Sequence, residues 1–340
     1  MATLVTSFEP VTFITKLKTI ALSSDISCSI SLSVDNIELL NEIYYPNADG
    51  NIILYEVDKL LTPYLLQTLT ANITLNYDDE SVSFIALYTS ADIVTDSATF
   101  LRTHFLTHLT EKITNISFRE YLYFFTIQGG GNYPIVQCLY DDGSTNQTTL
   151  TNVAQENIIA VLDVSPSNFA ISGKKLIKYN VACGLRRVIY DVSNEYVSPA
   201  PQLIFRNSFG CEETIYCIGT HSLEPEYNNT TALVEGDFKN IDIEENKVFK
   251  AYTGILSSSM SNWADDLFRS NSIRLFTIDN GLLNRGKEIT ITSAKAIRSN
   301  EYSFLPNFYF EYRYAQRIHN IFDNVKAGRI FDNTFDFSYE

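Results

Sequence analysis

Polar and apolar residues alternate strictly over residues 27–34. Cys28, Ile30, Leu32 and Val34 fall on one face, and Ser27, Ser29, Ser31 and Ser33 on the other. A period of two marks a strand with one buried face. Similar runs recur every 8–12 residues or so, separated by turn residues, as in sandwiches and small barrels. Residues 43–45 and 52–55 flank Pro46-Asn47-Ala48-Asp49-Gly50 and predict a hairpin. Residues 73–77 and 82–87 predict a second across Asp78-Asp79-Glu80, and 135–140 a third across Asp141-Asp142-Gly143. Further strands are expected at 120–127, 158–164, 176–181, 186–192, 203–205, 214–218, 273–278, 289–292 and 308–314, while the polar stretch 223–229 reads as a loop.

Helical spacing is rarer. Met260, Trp263, Ala264, Leu267 and Phe268 recur at i, i+3, i+4, i+7 and i+8, which predicts one helix over 257–268. One of Ser257 to Ser259 can cap it, leaving Asp265 and Asp266 outward. Residues 58–65 can hold a turn or two interrupted by Pro63. Residues 96–112 have Leu101, Phe105 and Leu109 at helical spacing, with Asp96 or Ser97 as cap, but a Thr content that weakens the helix. The expected fold is therefore mainly β, with two or three β-sandwich or small-barrel domains and one or two short helices. Length supports the same count, at about 150 residues per domain. The divisions fall at 1–112, 113–199 and 200–320, with the last boundary at the loop carrying Pro199 and Pro201, and residues 321–340 form a C-terminal interaction arm.

Composition narrows the function. Tyr (21) and Phe (22) are abundant beside one Trp, which favours strands, and the net charge of −15 opposes a sequence-independent grip on nucleic acid or adhesion to anionic lipid. No apolar run reaches the length of a membrane span, and the first 20 residues lack the apolar core of a signal peptide. Synthesis in the cytosol then leaves Cys28, Cys138, Cys183, Cys211 and Cys217 as buried free thiols.

Each constellation that could carry chemistry falls short of its motif. Gly129-Gly130-Gly131 is followed by Asn132-Tyr133-Pro134 and a strand, where phosphate binding needs a helix. Cys211, Cys217 and His221 lack zinc-knuckle spacing. His104 and His108 bracket Phe105, where a zincin carries Glu, and neither His221 nor His319 sits in a Ser or Cys nucleophile motif. Asp78-Asp79-Glu80 and Asp141-Asp142 occupy turns that favour Asp for backbone reasons, and Asn47–Asn51 lacks the Glu that closes a calcium loop. A hydrolase carboxylate pair stays open on sequence alone. No catalytic residue, cofactor or metal ligand is assigned. The tail is unusual: Ile321, Phe322, Ile330, Phe331, Phe335, Phe337 and Tyr339 are too apolar for a solvated end and too few for a core. They either fold back or dock on a neighbour by adding to a sheet edge.

Three stretches carry a resemblance: Phe205-Arg206-Asn207-Ser208-Phe209-Gly210 with Glu213-Thr214 and Gly219; Tyr252-Thr253-Gly254 with Trp263-Ala264-Asp265-Asp266-Leu267; and Ala327-Gly328-Arg329-Ile330-Phe331-Asp332. Together they resemble β-rich virion proteins of tailed bacteriophages and prophages of Bacteroides-type gut bacteria, the crAss-like phages among them. The resemblance is concentrated in the C-terminal 140 or so residues, roughly. It implies a non-enzymatic tail or neck protein of the virion, made in the bacterial host cytoplasm and built into a ring with copies of itself and with other tail, neck or portal proteins. The competing expectations are a receptor- or glycan-binding tail module and a polysaccharide or cell-wall hydrolase.

Overall fold

The alternating run of the N-terminal third is the strand Cys28–Val34, with Cys28, Ile30, Leu32 and Val34 buried. The coordinates are a computed structural model that describes residues 2–127, 133–151, 153, 155–279, 282–297 and 305–315. The fold is mainly β, with sandwich-like layering.

Cys28–Val34 lies in a five-stranded sheet ordered Val11–Phe13, Glu80–Leu87, Thr70–Tyr77, Cys28–Val34, Ile37–Tyr44. Thr3–Leu4, Thr19–Ser23 and Asn51–Tyr55 form a smaller sheet. Ile20, Leu22, Ile52 and Leu54 of the small sheet share one buried cluster with Ile30, Leu32, Ile73 and Leu75 of the large one, and the helix Val57–Thr68 adds Leu61 and Leu65. That helix runs through Pro63, two turns in.

The hairpin expected across residues 46–50 does not form. Ile37–Tyr44 pairs with Cys28–Val34, whereas Asn51–Tyr55 pairs with Thr19–Ser23 in the other sheet. The turn itself is real: the Asn47 side chain accepts hydrogen bonds from Asp49 N and Asn51 N, both at 2.9 Å. Local turn chemistry reverses the chain, but burial of Ile52 and Leu54 decides which sheet receives the strand. The hairpins across 78–80 and 141–143 form as expected.

The middle sheet is ordered Thr145–Thr149, Pro134–Tyr140, Leu176–Cys183, Arg186–Ser193, Glu111–Asn115, the last pair parallel. The strand Glu111–Asn115 crosses the division drawn at 112/113. The pair Tyr121–Phe125 and Ile159–Asp163 forms a separate two-stranded sheet. Its Leu122, Phe124, Ala160 and Leu162 share a core with Val136, Tyr179, Val181 and Tyr190 of the five-stranded sheet. Upstream, Asp96 caps the helix Ser97–Thr103 by accepting from Thr99 N at 2.7 Å.

The C-terminal sheet has seven strands, ordered Glu212–Tyr216, Gln202–Arg206, Ile273–Asp279, Leu282–Ile297, Asn307–Tyr314, Asp237–Tyr252, His221–Val234. The expected helix over 257–268 is present but divided at Ala264 into Ser258–Trp263 and Asp265–Arg269. Ser257 caps it, accepting from Met260 N, and Met260, Trp263, Ala264 and Leu267 are buried. Asp266 is corrected: it is buried, not outward, because it lies three residues after buried Trp263 and its carboxylate accepts from the Ser208 hydroxyl. Residues 223–229, expected as a loop, belong to the 14-residue strand His221–Val234. Both faces of that strand meet solvent, so it carries no alternation for sequence to detect.

One buried cluster continues from the middle sheet into this one, joining Val136, Tyr179 and Val181 to Leu203, Phe205, Trp263 and Phe310. A second, containing Phe13, Leu87, Leu101, Phe125 and Phe209, ties in the N-terminal unit. The turn Asn207–Gly210 sits at the meeting point. Ser90 N donates to Ser208 O at 2.8 Å, Asn207 Nδ2 to Leu106 O at 2.8 Å, and Arg206 Nη1 to Leu66 O at 3.3 Å. Gly210 has φ +77, and a Cβ there would lie 2.4 Å from Leu69 Cδ2 and 3.0 Å from the Tyr88 ring. Gly210→Ala is expected to lower stability by about 2 kcal/mol in urea unfolding, combining left-handed strain with overpacking.

Candidate functional site

The fold disperses the candidate chemical residues into structural roles. His104 stacks on Phe100 with centroids 4.7 Å apart, and its helix ends at Thr103, so His108 is not on the same helical face. His221 Nε2 lies 2.9 Å from the Tyr312 hydroxyl within a stack that includes Phe249. Cys211 and Cys217 flank the strand Glu212–Tyr216 and enter different cores. All five cysteines are buried and outside any disulfide. Asp78 accepts from Ala2 N and Ser29 N, and Asp142 from Ser144 N and Lys174 Nζ. Among the described residues no group of three or more His, Cys, Asp or Glu could hold a metal ion. Gly129-Gly130-Gly131 and His319 lie outside the described residues, as do Ile321, Phe322, Ile330, Phe331, Phe335, Phe337 and Tyr339.

Two polar clusters come closest to catalytic constellations. In the first, Asp266 accepts from Ser208 N at 3.1 Å through Oδ2 and from Ser208 Oγ at 2.6 Å through Oδ1, with His108 Nε2 3.8 Å from Oδ2. The Ser208 hydroxyl donates to the carboxylate, whereas nucleophilic catalysis needs it to donate to the His. Ser208 is spent on holding its turn to the helix Asp265–Arg269.

The second cluster is fully buried. Lys112 Nζ lies 2.6 Å from Glu120 Oε2, donates to Thr214 O at 2.8 Å, and sits 4.7 Å from the Trp263 ring centroid. The Thr114 hydroxyl donates to Glu120 Oε1 at 2.7 Å, and Trp263 Nε1 donates to Glu213 Oε2. Burial pushes the Glu120 carboxyl up, while Lys112 pulls it part of the way back. Burial pushes Glu213 up to about 7, opposed by hydrogen bonds from Thr107 and Trp263 and by the charge of Lys112. These carboxylates have the perturbed character of an active site, and both are buried. Their partners come from the middle sheet, the C-terminal sheet and the capped helix, so the cluster fastens three elements together. Sequence reasoning missed it because Lys112, Glu120, Glu213 and Trp263 are scattered along the chain.

On the outer face of the middle sheet lies a shallow concavity of about 470 Å³ lined by Gln137, Gln147, Asn180 and Arg187. Its polar groups already satisfy each other: Gln137 Nε2 donates to Gln147 Oε1 at 3.3 Å, and Arg187 Nε to Asn180 Oδ1 at 2.7 Å. The aromatic at its floor, Tyr179, is buried in the core. It offers no exposed ring on which a sugar could stack.

The most exposed apolar side chain of a paired element among the described residues, Phe238, lies on the ribbon formed by His221–Val234 and the 16-residue strand Asp237–Tyr252. Only Phe249, Lys250, Ala251 and Tyr252 of the second strand pair with the neighbouring strand Asn307–Tyr314. Among the described residues, the rest of the ribbon therefore projects beyond the sheet with no further strand beside it. Glu235 (φ 57) and Gly236 (φ 92) make its tip, a left-handed pair that matches the twist of a two-residue hairpin. Leu233 and Phe238 face each other across the tip, 63% and 81% exposed, with Ile241 at a bulge 62% exposed. Seven acidic residues and two lysines lie between 224 and 248.

Known proteins offer little likeness. No family model matches the chain. No curated protein matches it either. Among solved structures, the I9–I11 tandem of titin is similar at 7% identity over 94% of this chain and 90% of that one, with a TM-score of 0.17. At that score the likeness carries no argument, and the fold class rests on the strands themselves. No helix among the described residues is long and apolar enough to cross a membrane.

Two outcomes test the buried cluster. Lys112→Met is expected to destabilise the protein by about 3 kcal/mol in chemical denaturation, because Glu120 is left buried without its cation. The folded chain holds the Glu213 proton up to about 7, while the unfolded chain releases it near the ordinary value of 4.5. Between those values the folded state binds more proton, so this group's contribution to stability falls as pH rises. Glu213→Gln should remove that contribution. Relative to wild type, it is expected to gain up to about 3 kcal/mol on going from pH 5 to pH 8 in thermal melts.

Proposed function

We propose that the protein is a non-enzymatic structural subunit of a bacteriophage virion, a tail or neck component that assembles into a ring with copies of itself and neighbouring tail, neck or portal proteins. The observation that carries this reading is the projecting ribbon. A two-stranded hairpin alone in water is marginally stable, and long exposed strand edges invite pairing with another chain. Exposed Leu233 and Phe238 at the tip, with Ile241 beside them, gain only when a partner covers them. The reading is further supported by the role of the resembling stretches. Asn207, Ser208, Gly210, Trp263 and Asp266 all serve the junction between the units, as expected of a subunit that must transmit load without falling apart. The tail residues Ile321, Phe322, Ile330, Phe331, Phe335, Phe337 and Tyr339 are assigned to the same assembly role. An acidic balance suits a conduit through which DNA slides, since a basic lining would retain it.

Light scattering and electron microscopy of the purified full chain are expected to show a closed ring of several copies. Leu233→Glu with Phe238→Glu should weaken assembly at least tenfold, about 1.4 kcal/mol or more, with little change in the melting temperature. A monomer that binds oligosaccharide, or one that cleaves it, overturns the reading.

A further inference from the structure

Gln147, Gln137, Asn180 and Ile189 stand in one row across four strands of the middle sheet, each paired with the next. The row runs through the concavity on that sheet's outer face, with Leu139, Lys178 and Arg187 around it. Two properties set this face apart from the rest of an acidic chain. The described residues that line it include no carboxylate, although the chain carries a net charge of −15. Its hydrogen bonds also consume acceptors and leave donors in surplus. Gln147 Oε1 accepts from Gln137, and Asn180 Oδ1 accepts from Arg187 Nε. The amino groups of Gln147 and Asn180 remain, as do the two Nη groups of Arg187. Lys178 is already paired, 3.0 Å from Asp191 and 3.9 Å from Glu111. Arg187 is therefore the cation this face has to offer, and its bond to Asn180 holds the planar guanidinium in place. Beside these donors lie the apolar side chains of exposed Leu139 and half-buried Ile189.

The ribbon tip is opposite in charge and similar in pattern. Leu233 and Phe238 flank Glu235 and Asp237, and all four are exposed. Lys239, 3.9 Å from Glu235, offsets one of the two charges.

We propose that the ribbon tip of one copy docks in the concavity of the next. Glu235 and Asp237 meet Arg187 and the carboxamide donors, while Leu233 and Phe238 cover Leu139 and Ile189. The inference rests on the assembly reading above and supplies its interface. Size allows it: a row across four strands spans about 14 Å, and the two strands of a ribbon stand about 5 Å apart. Charge selects the occupant. Two ribbon tips brought together would set carboxylate against carboxylate, whereas tip against concavity sets carboxylates against a guanidinium and N–H donors. The two surfaces are different parts of one chain, so the contact is heterologous. Each copy presents one of each, and repetition of such a contact closes into a ring.

Charge exchange in the full-length protein tests it, read by light scattering. Arg187→Glu is expected to weaken assembly by roughly tenfold or more, and so is Glu235→Lys with Asp237→Lys. The three substitutions combined in one chain should restore assembly to within about threefold of wild type. All three positions are exposed, so the melting temperature should be unchanged. Arg187→Met, which removes the charge without reversing it, is the second variant where Arg187→Glu folds poorly, and it too is expected to weaken assembly. Rings as tight as wild type in the Arg187 variants overturn the proposal and leave the assembly reading standing. Loss in both single-face variants without recovery in the combined chain does the same. Wild-type protein that stays monomeric overturns both.

Discussion

The ion pair of Lys112 with Glu120 is the constraint around which the molecule is organised. A buried charge is tolerated only when paired and hydrogen-bonded, so the ammonium dictates where its surroundings must be. It requires Glu120 within 2.6 Å, the Thr214 carbonyl within 2.8 Å and the Trp263 ring over its face. These belong to the entry to the middle unit, the first hairpin of the C-terminal sheet and the capped helix. Satisfying one side chain therefore fixes three elements relative to each other. Apolar burial alone is less directional: it brings the sheets together without specifying their register or angle.

The same economy appears at the turn Asn207–Gly210. Asn207 accepts from Phe209 N and Cys211 N within its own turn and donates to Leu106 O outside it. Ser208 binds Asp266, and Gly210 makes room for Leu69 and Tyr88. Residues that resemble catalytic furniture when read in line, a Ser, an Asp and a His, are here a joint. The burial of Ser208 and Asp266, and the hydroxyl's bond to the carboxylate, favour the second reading. With the core stitched together by polar joints, Leu233, Phe238 and Ile241 at the ribbon tip stand out as exposed apolar surface.

Much of the fold was legible along the chain. Residues 28–34 announced a half-buried strand by alternation, Ser257 to Ser259 a cap by their place before an apolar stripe, and the turns at 78–80 and 141–143 their hairpins by residue type. Each is a local signal with a local cause. Where expectation and structure part, the deciding contact is distant in sequence. Residues 46–50 turn as they should, yet burial of Ile52 and Leu54 sends the next strand to another sheet. The ribbon strand His221–Val234 reads as a loop because alternation arises only when one face is buried, and here neither is.

The sequence by itself determined the class, mainly β with short helices, the positions of most strands and turns, and the burial of the five cysteines. Backbone sterics, turn chemistry and side-chain period act over a few residues, and all are written in order. Only the tertiary structure decided which strands share a sheet, that Asp266 and Glu213 are buried joints, and that a long ribbon extends beyond its pairing with the neighbouring strand. Those outcomes depend on burial and on buried charge. Both are properties of the surroundings that a residue acquires only once remote parts of the chain have met.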